Sequence, residues 1–215
     1  MTVHVDTVCV GPLETNCYLA WEAGSKAAVC VDPGGEPARI IAAVSRHGLK
    51  IGALLLTHGH GDHMGALGAV RAAWHVPVWI HQADAPMLTS AERNLSATIG
   101  MPVASDAAEH HAAQGGVITV GGMTIEILHT PGHTTGSVCY LVRVKGKAAL
   151  LFSGDTLFRD DVGRHDLPGG SQAELHRSIR ERLYVLPDDT EVYPGHGPST
   201  TIGREKRENE CVRAA

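Results

Sequence analysis

Short apolar runs alternate with glycine-rich polar breaks along the chain, and the period of the apolar positions changes from block to block. Val3 to Val10, Asn16 to Glu22 and Ala27 to Asp32 read as short antiparallel strands divided by turns. Pro37 to His47 has helical spacing, with Ile40, Ile41 and Val44 on one face. Ile51 to Leu56 is an apolar run of strand length. Met64 to Trp74 reads as a second helix, Val76 to His81 as a strand, Asp84 to Ile99 as helical and Gly100 to Gly116 as irregular. Val117 to Val120, Thr124 to His129 and Ser137 to Val144 give further strands, and Ala148 to Phe152 and Glu191 to Tyr193 further apolar runs. Ser171-Gln172-Ala173-Glu174 is a capping-box pattern, which starts a helix running to about Tyr184. Thr200 to Val212 reads as a polar closing helix. Strand-rich blocks with helices after the loops, in two halves, are compatible with two packed sheets flanked by helices.

The polar breaks carry the chemistry. Leu56-Thr57-His58-Gly59-His60-Gly61-Asp62-His63-Met64-Gly65 places three histidines and an aspartate within six residues. These donors suit divalent cations such as zinc, manganese or iron(II). His58, His60 and Asp62 recur at spacing two, so an extended loop would point them one way and His63 another. Three more candidates follow further runs: His133 in Thr130-Pro131-Gly132-His133, Asp155 in Ser153-Gly154-Asp155, and His196 in Pro194-Gly195-His196. Every candidate is thus expected in a glycine-rich loop just past a strand, where glycine lets the backbone turn sharply.

With His-x-His-x-Asp-His, then a lone His, Asp and His in that order, the chain resembles the metallo-β-lactamase superfamily. Asn16-Cys17-Tyr18, Asp32-Pro33-Gly34 and Gly163-Arg164-His165-Asp166-Leu167-Pro168-Gly169-Gly170 make it look most like the short glyoxalase II-like hydrolases. The resemblance implies an α+β fold, a four-layer αββα sandwich. It implies that His58, His60 and His133 hold one metal, that Asp62, His63 and His196 hold a second, and that Asp155 bridges them. Two divalent ions are expected, zinc first, with iron or manganese as alternatives. Two cations about 3.5–4 Å apart can share a water and lower its pKa from 15.7 toward about 7. The hydroxide would attack a carbonyl, with Asp62 orienting it, so Asp62 and Asp155 are the catalytic candidates. A thiolate leaves readily because a thiol pKa is only about 8.5, which makes a thioester of the S-lactoylglutathione type a natural substrate. In this branch a basic residue in the Gly163–Gly170 stretch helps hold the carboxylate of the thiol carrier, and Arg164 is the candidate here.

At 215 residues the candidate ligands run from His58 to His196, so a cut between them would divide the site, and residues 1–215 are read as one domain. The chain stops about 20 residues past His196, too soon for the helical C-terminal domain with which longer relatives grip glutathione. A formal charge of −5 argues against tracking nucleic-acid phosphates. Met1 to Asp6 lacks the features of a signal peptide, and no 18-residue apolar run is present to cross a membrane. Five cysteines without C-x-x-C spacing fit reduced, mostly buried thiols in the cytoplasm.

Nine of the 14 histidines fall outside the ligand pattern; seven read as structural or surface groups, while His81, which ends a strand, and His165, in the Arg164 loop, are the two placed where they could line the site. Asp32 reads as a turn residue, with a second role open to it in orienting a ligand histidine. Arg204-Glu205-Lys206-Arg207-Glu208 reads as a solvated helix face. A different reaction class uses a subset of the same residues: a mononuclear non-haem iron persulfide dioxygenase would need only His58, His133 and Asp155.

Overall fold

The computed structural model describes residues 2–143 and 148–213. Two six-stranded mixed sheets form its centre. The first contains, in spatial and chain order, β1 (Val3–Val10), β2 (Thr15–Glu22), β3 (Ala27–Val31), β4 (Lys50–Leu55), β5 (Val78–Ile80) and β6 (His110–His111). Hairpins make β1–β3 antiparallel, whereas β3 to β6 run parallel through crossovers. The second holds β7 (Val117–Val120), β8 (Met123–His129), β9 (Val138–Val142), β10 (Leu150–Gly154), β11 (Glu191–Pro194) and β12 (Thr200–Thr201), with β10 and β11 its parallel pair. The strand expected over Ser137 to Val144 is present as far as Val142, and Val144 lies outside the described residues.

Strand periodicity explains the layering. In β2, Cys17 and Leu19 face an outer core with Ile40, Val44, Leu67 and Val70, while Tyr18 and Ala20 face the space between the sheets. In β9, Val138, Tyr140 and Val142 point to that same space, and Cys139 and Leu141 point outward to Leu175, Ile179 and Ile202. Both faces of the central strands are therefore covered, which is why their residues are buried without alternation. Helices α1 (Pro37–His47) and α3 (Leu67–Trp74) cover one sheet; α4 (Gln172–Ser178) and α5 (Ile202–Glu208) cover the other. This is the αββα sandwich expected.

Pro37 opens α1, and Gly48 closes it in the left-handed region at φ 62°, donating to Val44 and Ser45 carbonyls. Ser171 caps α4 through the Glu174 amide as the capping pattern implied, and a π-helical turn carries the chain on to Leu183.

Three expectations need correction. The helix expected from Met64 to Trp74 is two pieces, α2 (Gly61–Met64) and α3, because Gly65 packs against the Gly34 carbonyl and Ala66 N donates to Pro33 O at 2.9 Å. The helix expected over Asp84 to Ile99 is one 3₁₀ turn, Ala85–Met87, followed by turns. Buried Asn94 and Ser96 side chains take over the backbone there: Asn94 Nδ2 donates to the Met87 and Val103 carbonyls, and Val103 N donates to Ser96 Oγ. Such side-chain bonds compete with helix. The closing helix spans only Ile202–Glu208, capped by Thr201, and its face is not wholly solvated. Glu205 is fully buried, accepting from Asp160 N, Thr200 Oγ1 and Asn209 Nδ2.

Candidate metal centre

The seven pattern residues meet at one edge of the sandwich, past the C-terminal ends of β4, β8, β10 and β11. Backbone bonds sew the sheets together at this edge. Val138 N donates to Thr57 O at 2.8 Å and Asn16 N to Gly195 O at 2.7 Å, while within the second sheet Gly195 N donates to Gly154 O at 2.9 Å. Asn16 Nδ2 donates to the carbonyls of Pro194 and Gly197, and Tyr18 Oη to that of Pro194. The Asn-Cys-Tyr motif thus braces the loop that carries His196. Gly195 has no alternative at its position, since a Cβ there would collide with Asp155 Oδ1 and the His63 ring.

Spacing-two alternation places Asp62 with His58 and His60, and the fold does otherwise. His60 is extended (φ −68°, ψ 148°), but Gly61–Met64 is a helical turn, which carries Asp62 and His63 away together. Two groups result. His58 Nε2, His60 Nδ1 and His133 Nε2 lie 2.9–3.2 Å from one another. His63 Nε2 lies 3.3 Å from His196 Nε2 and 3.5 Å from Asp62 Oδ2, which is 3.3 Å from His196 Nε2. Between them sits Asp155, with Oδ1 at 3.3 Å from His63 Nε2 and Oδ2 at 3.5 Å from His133 Nε2 and 3.7 Å from His196 Nε2.

The partners of the outer ring nitrogens fix the tautomers. His133 Nδ1 donates to Arg164 O at 2.6 Å, and His196 Nδ1 to Leu13 O at 3.0 Å. His63 Nδ1 donates to Asp32 Oδ2 at 3.0 Å. Thr57 Oγ1 gives its proton to Asp32 Oδ2 and so accepts from His58 Nδ1 at 3.1 Å. With their Nδ1 atoms so engaged, His58, His63, His133 and His196 all turn Nε2 into the cluster. Asp155 Oδ1 is buried without a hydrogen-bond partner. Donors this close can all lie within the roughly 2.0–2.2 Å of zinc–nitrogen and zinc–oxygen bonds from a common point. The donor set fits divalent cations: His58, His60 and His133 form one group able to hold an ion, and Asp62, His63 and His196 another.

Electrostatics point the same way. Burial, with His63 and His133 beside it, pushes the His58 imidazole well below its ordinary value, and burial plus His133 takes His60 down to about 3. Burial also opposes charge on His63, but Asp62, Asp155 and Asp32 outweigh it and hold that ring well above its ordinary value. Burial raises Asp155, yet His63, His133 and His196 overcome it and keep the carboxyl at about 2. Asp62 is held below the usual carboxylate range, against burial, by His63 and His196. The carboxylates recruit positive charge to this side, which a metal ion supplies as well as a proton does.

Three supporting residues come from outside the ligand pattern. Asp32, left-handed at φ 49° and buried, receives Thr57 N, Thr57 Oγ1 and His63 Nδ1, so the orienting role open to it is the one it fills. Thr15 Oγ1 donates to Asp62 Oδ2 at 3.1 Å. Asp84, expected only to begin a helix, ties two ligand loops together: its carboxylate accepts from Gly59 N, Gly136 N and Thr134 Oγ1 at 2.7–3.0 Å. No local signal distinguishes an aspartate of this kind, because its partners lie 25 to 52 residues away.

Above the cluster opens a cleft of about 430 Å³ with His60, Asp62, His133, Asp155 and His196 on its floor. Arg164 is on its rim, with its guanidinium held by Asp166 through two 3.0 Å bonds. His81 and His165 do not line it; His81 stacks on His129 with ring centroids 4.1 Å apart.

A two-sheet sandwich with a histidine–aspartate cluster at one sheet edge defines a metal-dependent hydrolase class. Residues 10–196 match the family model of the metallo-beta-lactamase superfamily, and the chain belongs to that superfamily. It is 41% identical to the probable metallo-hydrolase YqgX of Bacillus subtilis, across 93% of both chains. It is 35% identical to the hydroxyacylglutathione hydrolase GloC of Haemophilus influenzae, across 99% of both. Among solved structures it is similar to BLEG-1 B3 metallo-beta-lactamase (TM-score 0.91, 38% identity, 96% of this chain and 98% of that one). It is also similar to TTHA1623 in a di-iron-bound form (TM-score 0.82, 37% identity, 95% and 98%).

Proposed function

We propose that the chain is a binuclear metal-dependent hydrolase of thioesters of a small carrier thiol, the S-lactoylglutathione type among them. The observation that carries the reading is Asp155, whose two oxygens reach toward donors of both groups from one carboxylate. The Haemophilus relative's name supports the thioester. In this reading His58, His60 and His133 hold one ion, Asp62, His63 and His196 the other, and Asp155 both. Divalent ions bound here would supply Lewis acidity, acidifying water and polarising a carbonyl. The protein aims the histidines through Asp32, Thr57 and the carbonyls of Arg164 and Leu13. Asp62, fixed by Thr15, faces the cleft where it can accept a proton-bearing water. Arg164 can take a thiol carrier's carboxylate once Asp166 gives way. The thiolate departs without a dedicated acid because it is a comparatively weak base, its thiol having a pKa of about 8.5. Five cysteines, odd in number and without C-x-x-C spacing, support a cytoplasmic setting.

An iron dioxygenase using His58, His133 and Asp155 alone leaves Asp62, His63 and His196 converging for no purpose. The test is metal analysis of protein purified without added metal, with parallel assays of thioester cleavage, β-lactam cleavage and oxygen uptake on a thiol persulfide. Two metals per chain with thioester cleavage is the expected result. One iron with oxygen uptake and no thioester cleavage overturns it.

A further inference from the structure

The cleft has two unlike ends. Beside the His133 end stands Arg164, the one cation on the cleft wall among the described residues. Past Asp62 the cleft opens into an annex of about 250 Å³, and the two share Leu13, Gly61, Asp62, Ser96 and Ile99. The annex walls include Pro12, Leu13, Ile99, Met101 and Val103. Leu13, Ile99 and Met101 are 49%, 49% and 43% exposed, three of the five large hydrophobic side chains exposed in the described chain. Three such side chains gathered at one mouth form a patch of the kind that marks binding sites.

The annex offers nothing to an anion. Its charged lining residues are Glu36 and Asp62. Glu36 is already engaged by Arg39 at 2.7 Å and by Gly11 N at 3.1 Å. The wall is also preformed. Asn94 and Ser96 pin the 88–105 segment internally, and Gly61 N donates to Asn94 O at 2.8 Å, which fixes that segment to the metal loop. Preorganised apolar walls bind apolar groups without a large ordering cost.

We propose that this annex receives an apolar acyl group of the substrate, so that the preferred thioester carries a medium-length hydrophobic chain while its thiol half lies toward Arg164. Naming the group as acyl rests on the thioester reading above. Glutathione's carboxylates find no counter-charge on the annex side, whereas a chain of several methylenes covers Leu13, Ile99 and Met101 and removes them from water.

The experiment uses straight-chain thioesters of one neutral thiol, N-acetylcysteamine, from acetyl to octanoyl, with the matching non-hydrolysable thioethers titrated calorimetrically into the protein as purified. kcat/KM and thioether affinity should both rise about twofold to fourfold per methylene, the range set by partial to full burial of each group. Ile99→Asp and Met101→Ser should flatten both series. Val185→Ser, at an exposed apolar position outside the cleft and annex, should leave the slopes intact. Brisk acetyl turnover with no dependence on chain length overturns the annex and leaves the thioesterase. Chain-length-dependent thioether binding with no turnover of any thioester overturns the thioesterase and retains an apolar subsite. Flat series in both measurements overturn the proposal outright.

Discussion

Asp32 Oδ2 accepts the Nδ1 proton of His63 at 3.0 Å, from behind a ring whose Nε2 faces His196, Asp62 and Asp155. One buried carboxylate therefore sets both the tautomer and the angle of a candidate ligand. Asp32→Asn keeps a residue that tolerates the left-handed backbone but removes the charge. Affinity for the ion held by His63 should fall about 10–100-fold, with the ion held by His58 and His60 retained. Competition titration against a chelator measures this, and two unchanged affinities would count against the orienting role.

Asp155→Ala should loosen both ions together, because its oxygens reach toward both groups, whereas His196→Ala should weaken mainly one. Elemental analysis of the purified variants gives the metal-to-protein ratio. Two metals per chain in Asp155→Ala would refute the bridging assignment.

Asp84 holds the His58 and His133 loops together through three donors. Asp84→Ala should cost about 1–3 kcal/mol for each buried donor left without a partner. Urea unfolding of the metal-free protein reads that loss, and Asp84→Asn, which keeps an acceptor, should lose less.

His81 stands against His129, and its imidazole is pushed down to about 4 by burial first and then by His129 and His111. The fold thus prefers neutral His81. Its contribution to stability is present above the ordinary histidine pKa of about 6.5 and is lost as pH falls through about 4. Thermal melts with chelator between those values should show a shallower acid loss for His81→Gln than for the unmodified chain.

Arg164 and Asp166 form an exposed bidentate pair, so an incoming carboxylate must compete with Asp166. For a thioester whose thiol half bears a carboxylate, Asp166→Ala should lower KM. Arg164→Ala should raise KM more than it lowers kcat, since a group far from the reacting carbon is held alike in ground and transition states. Steady-state kinetics on both variants checks the pair, and no change in KM for either would remove Arg164 from substrate binding.

The amino-acid sequence by itself determined the ligand candidates and their placement past strand ends. His58, His133, Asp155 and His196 each follow an apolar run, and a run that fills a covered strand must end where the backbone leaves the sheet. It also determined α1, whose proline start, apolar face and glycine stop are all local. The tertiary structure decided what depends on distant partners. Asp62 joins His63 and His196 rather than His58 because Gly61 begins a helical turn, and that turn packs where Gly61 N meets Asn94 O. Residues from Asp84 to Ile99 are no continuous helix because the Asn94 side chain takes the Met87 carbonyl and the Ser96 amide, groups a helix would have used. Glu205, written into a charged run, is buried because Asp160, Thr200 and Asn209 supply its donors. Asp32 looks like a turn residue and Asp84 like the start of a helix until the sheets close and bring their donors within reach. Local pattern reports the period of an element; which buried charge finds which partner is settled only when remote segments meet.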